Sequence, residues 1–110
     1  MKFRLYLALT LLLSLATLPL SADKGDSGKG KTVFSSRCAS CHGPDGAGKE
    51  SIAKMFKVQM RPLGSKEVQA KNEKTLKKDI LEGNGKMKPV KLGEDEVENV
   101  VAFVRTLAKK

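Results

Sequence analysis

The sequence predicts an all-α fold, and three observations carry that expectation. No stretch of the 110 residues alternates apolar and polar side chains in the manner of a half-buried strand. Apolar residues recur instead at helical spacing, most clearly Val97, Val100, Val101, Val104 and Leu107. Residues that start and stop helices, among them Ser65, Asn72 and Gly83, stand at the ends of such stretches.

The length leaves room for one small domain. Lys2 and Arg4 precede a largely apolar run, Leu5 to Leu20, interrupted by Pro19 and closing on the small residues Ser21 and Ala22. That layout predicts a secretory signal peptide over residues 1–22, cut after Ala22. A retained membrane anchor fits less well, because sixteen residues at about 1.5 Å each fall short of a hydrocarbon core of roughly 30 Å. No cysteine lies near the cut to take a lipid. Removal of residues 1–22 takes two cations and no acid from a chain of net charge +9, so the expected mature domain, 23–110, carries +7. It has no tryptophan and no tyrosine, and its three phenylalanines are Phe34, Phe56 and Phe103. With so few large side chains, another group is expected to help fill the core.

Residues 23–29, DKGDSGK, read as a solvated start. Gly30, Val33, Phe34 and Arg37 then follow a helical spacing into Cys38. GPDGAGKES is a loop by composition, and Ile52, Met55 and Phe56 suggest a short helix over 51–57 with Met55 in the core. Ser65 caps a turn through Ala70, and Asn72 caps a helix carrying Leu76, Ile80 and Leu81, which stops at Gly83 in the manner of a left-handed cap. A loop through Met87 and Pro89 leads to the last helix, which begins with Glu94, Asp95 and Glu96 and ends with Arg105, Lys109 and Lys110, charges that suit the helix dipole.

The two cysteines and the only histidine fall within five positions, Cys38-Ala39-Ser40-Cys41-His42. A structural zinc site normally needs a second pair of ligands, and none is present. A thioredoxin-like dithiol belongs beside a βαβ unit, and no strand pattern exists here. A Cys38–Cys41 disulfide is chemically allowed in an exported chain, but it closes a very short loop and leaves His42 without a role. Covalent haem uses all three. One helical turn puts both sulfurs on one side of the chain to bond the haem vinyl groups, and His42 follows as the proximal ligand to iron.

At this point the chain resembles the class I c-type cytochromes, the small soluble monohaem kind from bacteria. The likeness spans GKTVFSSRCASCHGPDGAG, GNGKMKPV and LGEDEVENVVAFVRTL, essentially all of the expected mature chain. It implies a cytochrome c-like domain of four to five short helices around one covalently bound haem c, with the first and last helices crossing. Gly30 and Phe34 match the crossing pair, and Val100, Val101 and Phe103 the partner face. The likeness also assigns the distal axial ligand to Met87, although Lys88 stands between it and Pro89 where many relatives have proline directly. Met87 is the sole apolar residue in GNGKMKP; Met60, beside Arg61 and Pro62 in another loop, stays open as an alternative ligand.

The expected function is that of a soluble periplasmic electron carrier, not an enzyme, with Cys38 and Cys41 as haem thioethers and His42 and Met87 as the iron ligands. Phe34, Ile52, Leu76, Ile80, Leu92, Val97, Val101 and Val104 are expected around the haem. Lys86, Lys88 and Lys91 would steer a monomer toward acidic patches on redox partner proteins. Export argues against nucleic acid as the partner of a basic chain. The alternative is a five-coordinate haem c sensor or small-ligand-binding protein, distinguished by whether Met87 binds the iron.

Overall fold

A computed structural model describes residues 25–109; the expected signal peptide lies outside the described residues. Six helical segments follow one another: α1 (Ser27–Arg37), α2 (Ala39–His42), α3 (Glu50–Phe56), α4 (Lys66–Gln69), α5 (Glu73–Glu82) and α6 (Glu94–Thr106). Two of them, α2 and α4, are single turns, which accounts for the difference from the four to five expected. Among the described residues the only β pairing is an isolated bridge between Asn84 and Met87.

The first helix begins earlier than its composition suggests. Asp26 Oδ1 accepts the Lys29 N–H at 3.0 Å and so caps a helix that starts within the glycine-rich DKGDSGK stretch. The Asp26 N–H donates to Asn99 Oδ1 at 2.8 Å, which fastens this end to α6. Asp26 to Lys29 are exposed, as a solvated start requires, but Gly25 is half-buried, and a Cβ there would fall 2.2 Å from the Glu98 carbonyl oxygen of α6. A Cβ on Gly30 would fall 1.8 Å from the Asn99 carbonyl oxygen.

The α1–α6 crossing builds the core. Phe34, Val97, Val100 and Val101 are almost completely buried. Phe34 meets Phe103 with ring centroids 5.0 Å apart and planes tilted by 54°, one of the favoured aromatic arrangements. Val33, Cys38, Ala39, Leu63, Ile80, Leu92 and Leu107 pack around Phe34, Val100, Phe103 and Val104. Leu76 of α5 is also buried, while Leu81 beside it is exposed.

Caps and polar ties set the remaining elements. Asn72 Oδ1 accepts from Thr75 N–H at 2.8 Å and Ser65 Oγ from Val68 N–H at 3.4 Å, the two caps the sequence predicts. Gly83 ends α5 at φ 84°, ψ 168°, an extended glycine geometry rather than the left-handed helical one. Lys77 of α5 reaches Glu98 of α6 at 3.0 Å. Arg105 near the end of α6 donates to the carbonyls of Gln69 at 2.8 Å and Lys71 at 2.6 Å and pairs with Glu73 at 2.9 Å. Gln69 Nε2 in turn donates to the Leu63 and Val104 carbonyls, each at 2.9 Å. These bonds hold the α4–α5 connection against the end of α6.

Candidate haem-attachment site

The segment around the cysteines is shaped by where α1 ends. The Cys38 N–H still bonds the Phe34 carbonyl at 2.8 Å, but Cys38 itself turns to φ −122°, ψ −34° and breaks the helix. Its carbonyl then accepts from Cys41 N–H at 3.2 Å and His42 N–H at 3.0 Å, so the next residues close into the turn α2. The expected grouping of Cys38, Cys41 and His42 on one turn is present, with both cysteines free and half-buried.

The loop after His42 folds back on this turn. Gly48 N–H donates to the His42 carbonyl at 2.7 Å, and Lys49 N–H to that of Cys41 at 3.1 Å. Asp45 Oδ1 accepts the Ala47 N–H at 3.0 Å, and Leu63 N–H bonds the Gly46 carbonyl at 2.9 Å. A stretch that composition marks only as loop is thus a bonded frame for the backbone of Cys41 and His42.

The imidazole is set into the apolar side of this frame. Its ring lies 6.5 Å from Phe34, centroid to centroid. Nδ1 is buried without a hydrogen-bond partner, an omission that ordinarily costs about 1–3 kcal/mol. Burial also pushes the His42 pKa below its ordinary value, which favours the neutral ring with a free lone pair. Burial pushes the Cys38 thiol up, against the opposing charge of Arg37. Two uncrosslinked thiols beside a neutral, unsatisfied imidazole suit a group that bonds both sulfurs and takes a nitrogen ligand. Among the described residues no three His, Cys, Asp or Glu side chains converge on a common metal position.

The methionines separate by position. Met87 is half-buried and lies in the Asn84–Met87 bridge, on an element separate from the cysteine turn. Met60 packs beside Gly48, whose added Cβ would stand 3.1 Å from Met60 Cβ, and so belongs with the loop that frames His42. Met55 is 70% exposed, contrary to the core role expected of it. The half-buried residues of α3 are Ile52 and Ala53; at 3.6 residues per turn Met55 lies about 60° from Ile52 but about 160° from Ala53, so an inward direction between those two leaves it outside.

The polar clamp of Gln69 and Arg105 was not visible as such in the sequence, because its acceptors are main-chain carbonyls. The Asn84–Met87 pairing carried a weak signal, Gly85 followed by Lys86, a glycine-first pair suited to a two-residue turn, but no alternating strands flank it and the stretch reads as loop.

An all-helical domain with crossing terminal helices and a Cys-x-x-Cys-His turn is the class that this fold and site define. The sequence model of the family Cytochrome c matches residues 27–108, and the chain belongs to that family. It is 33% identical over 89 residues to cytochrome c-554(547) of Halothiobacillus neapolitanus, a match covering 76% of this chain and 98% of the relative. The solved KustC0563 c-type cytochrome superposes with a TM-score of 0.63 at 28% identity, over 73% of this chain and 98% of that one. The family carries covalently attached haem c and moves electrons with it, and Cys38 and Cys41 fit its attachment motif. Among the described residues no helix is long and apolar enough to cross a membrane.

Proposed function

We propose that this chain is exported to the periplasm by a signal peptide over residues 1–22, and that residues 23–110 act there as a monomeric one-electron carrier with no enzymatic activity. Cys38 and Cys41 would hold haem c as thioethers, with His42 and Met87 as its axial ligands. When bound, the haem would supply an iron centre able to alternate between Fe(II) and Fe(III), and ligation by a methionine as well as a histidine would favour a high potential.

The chain's own residues position and shield. The turn of α2 presents both sulfurs from one stretch of backbone, and the Gly48 and Lys49 N–H groups hold the carbonyls behind it. Phe34, held in the α1–α6 core, stands 6.5 Å from the imidazole, centroid to centroid, and would shield that side of it. Lys86, Lys88 and Lys91 are exposed, and none is paired with a described acid. Their charge would draw the protein to acidic patches on redox partners and quicken encounter at low salt.

The observation that carries the reading is the unpartnered, buried His42 Nδ1 on the same turn as two free thiols. The test is denaturation of the purified protein followed by separation of polypeptide from free haem. Haem stays with the unsubstituted chain and is lost from the double variant Cys38→Ser, Cys41→Ser. Haem that remains attached to the double variant defeats the assignment.

A further inference from the structure

The segment that carries Met87 is held mainly by its own main chain. Asn84 N–H donates to the Met87 carbonyl at 3.0 Å, and Met87 N–H to the Asn84 carbonyl at 2.9 Å, closing a hairpin over Gly85 and Lys86. Gly85 has φ 58°, while Lys86 is not among the residues of positive φ. Positive φ at the first central residue alone is the type II′ pattern, which places glycine at that position. Gly83, just before the hairpin, sits at φ 84°, ψ 168°, a region open essentially to glycine alone. A Cβ on Gly83 would fall 2.6 Å from the Met87 carbonyl oxygen and 3.0 Å from Pro89 Cδ.

Beyond the turn, Val90 N–H bonds the Ile80 carbonyl of α5 at 2.8 Å and fixes the far end of the segment. Side chains add little to this arrangement. Asn84, Lys86, Lys88 and Pro89 are exposed, and Met87 is half-buried. A loop with no buried anchor of its own keeps its shape only while its backbone dihedrals do.

We propose that Gly83 and Gly85 are positioning residues that fix Met87 through the main chain: the two glycines set the hairpin, and the hairpin sets where the thioether is presented. The inference rests on the reading of Met87 as an iron ligand. Gly85 is the discriminating position, because nothing lies within 4 Å of where its Cβ would be. Gly85→Ala therefore creates no clash and acts only through φ. An alanine there must either bear left-handed strain or leave φ 58°, and leaving it loosens the Asn84–Met87 pairing. Gly83→Ala adds a collision to the same strain and is the less clean substitution.

The test compares the full haem-loaded protein with Gly85→Ala, Lys86→Ala and Met87→Ala. Three quantities are read: the weak far-red absorption of ferric iron bound to thioether sulfur, the carbon monoxide affinity of the reduced protein, and thermal unfolding of the helices. Gly85→Ala is expected to lose about half or more of the far-red absorption and to bind carbon monoxide roughly tenfold more tightly, with its helical melt shifted by no more than about 5 °C. Lys86→Ala keeps the absorption and the affinity of the unsubstituted protein. The proposal is overturned if Met87→Ala abolishes the absorption while Gly85→Ala leaves absorption and affinity unchanged. It is also overturned if Gly85→Ala loses the absorption only together with the helical melt. An unsubstituted protein without the absorption, or a Met87→Ala protein that retains it, removes the ligand assignment itself and the positioning role with it.

Discussion

Gly30 of α1 lies directly against the backbone of α6 at Asn99, so closely that a Cβ would sit 1.8 Å from the Asn99 carbonyl oxygen and 3.0 Å from Phe103 Cβ. The carbonyl is helix backbone and cannot swing aside as a flexible side chain could. Gly30→Ala must therefore push the two helices apart. Overpacking of this kind costs about 1–3 kcal/mol or more, and the melting temperature should fall by roughly 5–15 °C. Calorimetry on the haem-loaded variant checks it, and an unchanged melt would mean that the crossing is looser than described.

Phe34 stands between Phe103 and His42 and is 1% exposed. Phe34→Ala should cost about 3–5 kcal/mol in denaturant unfolding through the cavity it opens. Phe34→Leu keeps most of the volume and should cost less than half of that. Equal losses from the two variants would argue against a packing role.

Arg105 spends its guanidinium on two carbonyls and one carboxylate, the oxygens of Gln69, Lys71 and Glu73. A lysine keeps the charge but cannot match that fork. Arg105→Lys is expected to lose about 1–3 kcal/mol, and amide hydrogen exchange should quicken in α4 and its link to α5 more than in α1. Uniform exchange across the domain would contradict the clamp.

Lys77 holds its proton more firmly than an ordinary lysine, first through its hydrogen bond to Glu98 and then through the charges of Glu98 and Glu94, which outweigh its partial desolvation. A pKa raised in the folded state makes a contribution that is complete below the ordinary value of 10.5 and disappears as pH climbs through the folded value. The melting temperature of Lys77→Met should thus fall less steeply above that pH than that of the unsubstituted protein. Parallel alkaline profiles would count against the α5–α6 tie.

Much of the fold could be read from residue types whose action is local. Ser65 and Asn72 cap the helices they precede, and the stripe from Val97 to Val104 faces the core because its spacing allows nothing else. The Cys38-to-His42 turn was legible for the same reason, since its geometry depends on five consecutive residues. What escaped depends on partners distant in sequence. Asp26 makes sense only beside Asn99 and Gln69 only beside Val104, whereas the place of Gly30 at the helix crossing followed from the family resemblance and not from its own neighbours in sequence. Met55 has helical spacing from Ile52, yet nothing in α3 itself says which side faces inward.

The proposed ligation of haem by His42 and Met87 in this member of the cytochrome c family is decided by the visible and far-red spectrum of the purified protein in both oxidation states. Ligation by both residues gives a low-spin haem c spectrum whose ferric form shows the weak far-red thioether absorption, and a reduced form that resists carbon monoxide at neutral pH. A ferric spectrum without that absorption, together with ready binding of carbon monoxide, would contradict it and favour a five-coordinate, ligand-binding haem.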